Sequence, residues 1–227
     1  MALDITVESV VRSKNLSTAT FLAFLFVHQA YASEELLVVV GQLVKIDEAP
    51  DPCPTPNKEG DSNCTQFDSL YEATYNVLDV IVGSSGKSQV SFEIADHNGF
   101  PEFAEFKYAL LFIDVSNDEA WLHKYQGYAV HRTETGRWAS CGNPYDDRMG
   151  DEPRYLAPIS FVSPLRNLGE SSIPGVMNRL DERYIEVEGD LVVCRKGVYL
   201  EDLYTMVREG VFKARGVEAP VLSAGDF

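Results

Sequence analysis

Between Leu36 and Ala139 one kind of segment recurs: a short run of valine, isoleucine, phenylalanine or tyrosine, cut off by a turn signal, with no long helical period in between. LLVVVGQLVKI, residues 36–46, reads as a long strand with a bulge or bend at Gly41. An acidic, proline-rich loop (47–69) separates it from YEATYNVLDVIVG (71–83), in which Tyr71, Ala73, Tyr75, Val77, Val80 and Val82 alternate with one slip. After the turn Gly83-Ser84-Ser85-Gly86, residues 88–95 alternate cleanly at Val90, Phe92 and Ile94. The run YALLFIDV, 108–115, is continuously apolar, as a strand buried on both faces must be. Residues 127–133 form another short strand, with a turn at Thr135-Gly136 and Arg137-Trp138-Ala139 beyond. Five or six strands at this spacing predict a small closed barrel or sandwich rather than alternating α/β units.

The C-terminal part is patterned differently. Residues 143–175 are irregular and carry five prolines, and YIEVEGDLVVC (184–194) reads as a hairpin around Glu188-Gly189-Asp190. Further on, Leu200, Leu203, Tyr204, Val207, Val211 and Phe212 share one helical face. Glu201 and Asp202 fall in the first turn, Lys213 and Arg215 in the last, and Gly216 just past the end, as the helix dipole and a left-handed cap require. The expected fold is therefore mainly β. An OB-like β-barrel spans 33–142, and an extension, 143–227, carries the hairpin and one C-terminal α-helix packed on the barrel.

Residues 1–32 read as a signal peptide. Arg12 and Lys14 precede an apolar run, Leu16 to Val27, that is too short to cross a bilayer. It ends in Ala30-Tyr31-Ala32, a small-x-small cleavage pattern, before polar Ser33-Glu34-Glu35. The competing reading is a buried helix, but Phe21 to Phe26 leave it no polar face. The segment's charges cancel, so the mature chain keeps the net charge of −16. Such a surface repels nucleic acid and anionic membranes, which excludes both as main partners. No later segment reads as a membrane span. The expected location is exported, periplasmic or extracellular.

Cys53, Cys64, Cys141 and Cys194 form an even set in an exported chain, and so predict two disulfides. Cys53 and Cys64 bracket a loop with no core of its own, which a bridge would order. That pairing leaves Cys141 with Cys194. Zinc binding would want close CxxC or HxxxH spacing, which the chain lacks.

Four phrases resemble the netrin-like, or tissue-inhibitor-of-metalloproteinases-like, group of OB barrels. They are Val39-Val40-Gly41-Gln42-Leu43-Val44, Val80-Ile81-Val82-Gly83, Tyr108-Ala109-Leu110-Leu111-Phe112 and Trp138-Ala139-Ser140-Cys141-Gly142, within residues 36–142. The resemblance implies the barrel. It does not imply the group's inhibitory chemistry, in which an N-terminal cysteine chelates a protease's zinc, because the expected mature terminus is Ser33.

For chemistry, the candidate is Asp96-His97-Asn98-Gly99, with His97 as a general base and Asp96 or a distant carboxylate to orient it. The same four residues are equally a plain turn. His97, His123 and His131 would make a metal-dependent or hydrolytic site if they converged, but no spacing forces them together, and surface positions are the simpler expectation. Carboxylates at Glu59 and Asp61, and at Asp146, Asp147, Asp151 and Glu152, lack the calcium-loop pattern and read as solvated loops. Asn63-Cys64-Thr65 fits a glycosylation sequon that a bridge at Cys64 would oppose. Phe100, Phe103 and Phe106 are spaced either to cap the barrel by one helical turn or to form an exposed partner patch. The expected function is non-enzymatic binding of a protein or small molecule, without cofactor or metal. An enzyme built on His97, His123 and His131 is the alternative.

Overall fold

The structure is a computed structural model describing residues 35–50, 67–116, 119–144, 155–167, 182–223 and 227. Five strands close a barrel: β1 (Glu35–Glu48), β2 (Ser69–Val82), β3 (Gln89–Asp96), β4 (Tyr108–Ser116) and β5 (Glu119–Ala129). Their order around the barrel is β1-β2-β3-β5-β4, with β1 antiparallel to both β2 and β4. This is the OB-like barrel that the strand pattern predicted. Closure rests on a thin parallel seam between β3 and β5, where Glu93 faces Trp121.

The hydrophobic pattern of each strand follows from what covers its two faces. Leu37 and Val39 of β1 and Ala109, Leu111 and Ile113 of β4 point into the barrel with Tyr71, Ala73, Tyr75, Phe92 and Ile94. Their neighbours Val38, Val40, Leu110 and Phe112 point outward and are also buried, under the C-terminal helix. Both runs are continuously apolar for that reason. On β2 and β3 the outward residues Glu72, Ser91 and Glu93 are exposed; the alternation is clean on β3, while Thr74 breaks it on β2. The expected irregularity at Gly41 is present as a register shift against β2. A Cβ there would come within 2.9 Å of the Tyr75 ring, so the missing side chain makes room for a tyrosine in the core.

Beyond the barrel, β6 (His131–Arg132) and β7 (Trp138–Cys141) do not pair with any barrel strand. They join β12 (Lys196–Tyr199) and β8 (Ala157–Pro158) in a sheet ordered β6-β7-β12-β8. The predicted hairpin is present as β10 (Ile185–Glu188) and β11 (Leu191–Cys194), with β9 (Arg166–Asn167) beside β11. Cys141 and Cys194 form a disulfide, with Cα atoms 5.9 Å apart. The expected Cys53–Cys64 bridge, the cleavage position, the sequon and the carboxylates at 59, 61, 146, 147, 151 and 152 lie outside the described residues.

The helix begins as α1 (Leu200–Val207), widens into a π turn at Arg208–Phe212, and closes with Lys213–Arg215 and a left-handed Gly216. The wide turn differs from the regular helix expected. It takes in one residue more than an α turn, which places Phe212 fully inside and leaves Val211 only partly buried. Two side-chain clusters fasten the second sheet, one to the barrel and one to the helix. Asp79 of β2 accepts hydrogen bonds from Trp138 Nε1 (2.5 Å) and Arg132 Nη2 (3.1 Å), with the guanidinium 3.8 Å above the Trp138 ring. Arg137 pairs with Glu201 at the start of the helix and lies 3.5 Å over the Tyr199 ring.

Candidate functional site

Past the Glu93–Trp121 bridge, the seam between β3 and β5 is filled by polar side chains from three parts of the chain. Asp68 stands just before β2, His97 follows the last residue of β3, and Lys124 and Tyr125 belong to β5. Lys124 Nζ donates to Asp68 Oδ2 at 2.6 Å, and His97 Nδ1 lies 3.4 Å from Asp68 Oδ1. The Tyr125 hydroxyl is 2.7 Å from the same Nδ1, its ring edge-on to the imidazole. The hydrogen bond to Asp68 raises the pKa of the Lys124 ammonium. Both partners of the pair are partly open to water, so the contact contributes little stability.

Local backbone conformation explains how Tyr125 reaches this position. It has φ of 63°, the one positive value at a non-glycine among the described residues, and it lies where the β4–β5 register slips between Leu111 and Ile113. The Lys124 carbonyl accepts from Gln126 Nε2 and from Arg215 Nη1, each at 3.2 Å. Gln126 is fully buried and accepts from the Tyr128 hydroxyl at 2.5 Å. The bulge is thus held from the core by Gln126 and from outside by the end of the helix. Sequence patterning put a strand only at 127–133 and missed the first half of β5, since Glu119, Lys124 and Gln126 do not resemble a strand. Leu122 is its one fully inward apolar residue before the bulge.

Asp96-His97-Asn98-Gly99 is a turn, in which Asp96 Oδ1 accepts from the Asn98 amide at 2.8 Å and Gly99 takes φ of 101°. The carboxylate beside His97 is Asp68, not Asp96. Asp68 is 29 positions from His97 in the chain, and nothing in local sequence connects the two. A 3-10 turn at Glu102–Glu105 inserts Phe103 into the barrel end, 6.4 Å from the rings of both Tyr75 and Phe92. Phe106 packs partly against the same core, while Phe100 is 59% exposed with its edge against Tyr71. The three phenylalanines therefore do not form one surface patch; Phe103 caps the barrel from within. Phe67, next to Asp68, is 85% exposed.

The three histidines occupy three environments. His97 is half exposed in the network above. His123 is buried against the Phe212 ring, with Nε2 2.8 Å from Asp114 Oδ1. His131 packs edge-on to Phe161, and burial lowers its pKa to about 4. The surface expectation thus fails for His123, because the helix covers the strand that carries it, while His131 is partly exposed. Among the described residues no group of three His, Cys, Asp or Glu side chains is arranged to hold a metal ion. A groove of about 400 Å³ beside the π turn is lined by Arg208 and Lys213 but equally by Glu209 and Glu218, so it selects no charge.

No protein-family model, curated protein or solved structure matches the chain. Among the described residues no helix is long and apolar enough to cross a membrane.

Proposed function

We propose that this is an exported, non-enzymatic binding module that engages its partner through the barrel end around Phe67, Asp68, His97, Phe100 and Tyr125. One observation carries the reading: the two most exposed aromatic rings among those described, Phe67 and Phe100, flank a polar network drawn from three parts of the chain. The barrel interior is filled by side chains and the outward face of β1 and β4 lies under the helix, while the barrel end sets exposed aromatic rings beside a polar network. Exposed aromatic rings beside hydrogen-bonding groups are how partner surfaces are usually built. The Cys141–Cys194 bridge is compatible with export. Kinship with the netrin-like group belongs to the same proposal, supported by the strand order and by its phrases falling on β1, β2, β4 and β7.

Two measurements test it. Protein recovered from the native host should begin at or near Ser33; an intact Met1 on folded material counts against export. A photo-crosslinking residue at position 100 should capture a defined partner in the extracytoplasmic fraction, while one at position 187 on the hairpin should not. Equal capture from both positions removes the barrel end from the proposal.

A further inference from the structure

We infer that His97 is a proton-operated latch, held by Tyr125 when neutral and handed to Asp68 when protonated. The inference rests on a conflict at one atom. Nδ1 of His97 faces two partners, the Tyr125 hydroxyl at 2.7 Å and Asp68 Oδ1 at 3.4 Å. A ring nitrogen carries either a lone pair or a proton. With the lone pair, Nδ1 accepts the Tyr125 O–H, and the proton of the neutral ring sits on Nε2. Once the ring is protonated, Nδ1–H has to donate, and among the described residues the carboxylate paired with it is Asp68. Tyr125 then loses its acceptor.

Among the described residues, the charged and titratable groups placed around the ring are these. Asp68 faces it from the start of β2, and Lys124 and Tyr125 from β5. Asp96 precedes it on β3, with one oxygen occupied by the Asn98 amide, and Arg215 of the helix end touches the Lys124 carbonyl. Asp68 is shared, since Lys124 Nζ lies 2.6 Å from its other oxygen. Protonation therefore moves the loop after β3 from a β5 partner to a β2 partner, across a seam that a single bridge closes. Histidine is the side chain whose charge ordinarily changes between about pH 5 and 8, which sets the range a titration has to cover. Tyr125 gains the most from the neutral state, because its left-handed backbone is unfavourable and its hydroxyl bond helps offset that. Phe100 is three residues from His97 and Phe67 is next to Asp68, so the latch would set how both rings are presented. That consequence rests on the binding surface proposed above; the hydrogen-bond exchange does not.

The test is an NMR titration of the isolated chain from pH 8 to pH 5. At pH 8 the ring nitrogens of His97 should show the Nε2–H tautomer. The Tyr125 ring carbon and the 123–127 amides should then shift with the same midpoint as the imidazole. Hydrogen-exchange protection at 123–127 should fall roughly 5-fold across the transition, as loss of one net hydrogen bond implies. His97→Gln should abolish the Tyr125 transition, and Tyr125→Phe should leave His97 titrating while the 123–127 amides stay flat. A proton on Nδ1 at pH 8, or Tyr125 signals that ignore the His97 titration, overturns the latch. Both readouts come from the unmodified protein, so a variant that fails to fold does not rescue it. Loss of partner capture at position 100 would bear only on the proposed binding surface.

Discussion

The two sides of the barrel are built from the same kind of strand and have opposite fates. Outward residues of β1 and β4 are as buried as inward ones, because the helix and the second sheet lie against them: Val38, Val40, Leu110 and Phe112 are all 0% exposed. Most outward residues of β2 and β3, such as Glu72, Ser91 and Glu93, meet water, and Leu78 and Val80 remain about two-fifths open, with Thr74 and Ile81 of β2 as buried exceptions. One side is fastened by packing under the helix and the second sheet, whose β7 is in turn bridged to β11 by the disulfide. The other is held by hydrogen-bonded registers, the Asp79 cluster near the end of β2 and the thin β3–β5 seam. Stability should concentrate on the covered side, and recognition on the open end.

The sharpest way to break that comparison is Phe112→Ala. The ring is fully buried, stacked 6.1 Å from Tyr204 and edge-on to Phe212 at 5.3 Å, and its removal should cost about 4 kcal/mol in urea unfolding. Leu78→Ala on the open face should cost well under about 1 kcal/mol. Similar losses from the two would show that the helix does not cover the barrel as described.

Replacing Cys141 and Cys194 by serine comes next. The bridge closes a separation of 53 residues, for which chain entropy gives roughly 4 kcal/mol, a ceiling that residual structure in the unfolded chain lowers. Hydrogen exchange should rise first in β10, β11 and β12 while β2 and β3 keep their protection. Uniform loosening of the whole barrel would contradict the division into a stapled side and an unstapled one.

A pH dependence sharpens the same contrast. Burial holds the His131 pKa at about 4, below the ordinary value near 6.5. The unfolded chain therefore binds the extra proton between those values, and stability should fall as pH drops from 6.5 toward 4. The ring is partly exposed, so the loss is about 2 kcal/mol rather than the full shift. His131→Gln should flatten that part of the stability profile. An unchanged slope would mean the ring is open to water.

These differences also explain what could be read in advance. Period and composition located β1 to β4, the hairpin and the helix, because each is specified by its own burial pattern. YALLFIDV announced a buried strand and the helix was expected on the barrel, but nothing in LLVVV said that the helix would cover β1 as well. The first half of β5 was illegible: Trp121 stands 36% exposed, and Lys124, Tyr125 and Gln126 serve a bulge rather than an alternation. The polar network was illegible for a different reason. Asp68, His97 and Tyr125 come together only through barrel closure, and their spacing in the chain carries no period. The sequence left Asp96 or a distant carboxylate open as the partner of His97, and no period in the chain singles out Asp68.

The smallest effect tests the open end most cleanly. Ordinarily glycine in a strand is roughly 0.5–1 kcal/mol worse than alanine, because it loses more backbone freedom on folding. At position 125 that order should reverse. A left-handed backbone costs a residue with a Cβ roughly 1–2 kcal/mol, and glycine none. Tyr125→Gly and Tyr125→Ala both lose the hydroxyl that meets His97, so the missing hydrogen bond cancels between them. What remains is the strain relieved, less the entropy penalty, and Gly should be the more stable by about 0.5–1 kcal/mol. The opposite order in urea melts would mean that the bulge relaxes to ordinary strand geometry once the tyrosine is gone. In that case the phenol and His97 hold the strain in place, and the seam side is even less self-supporting than the covered one.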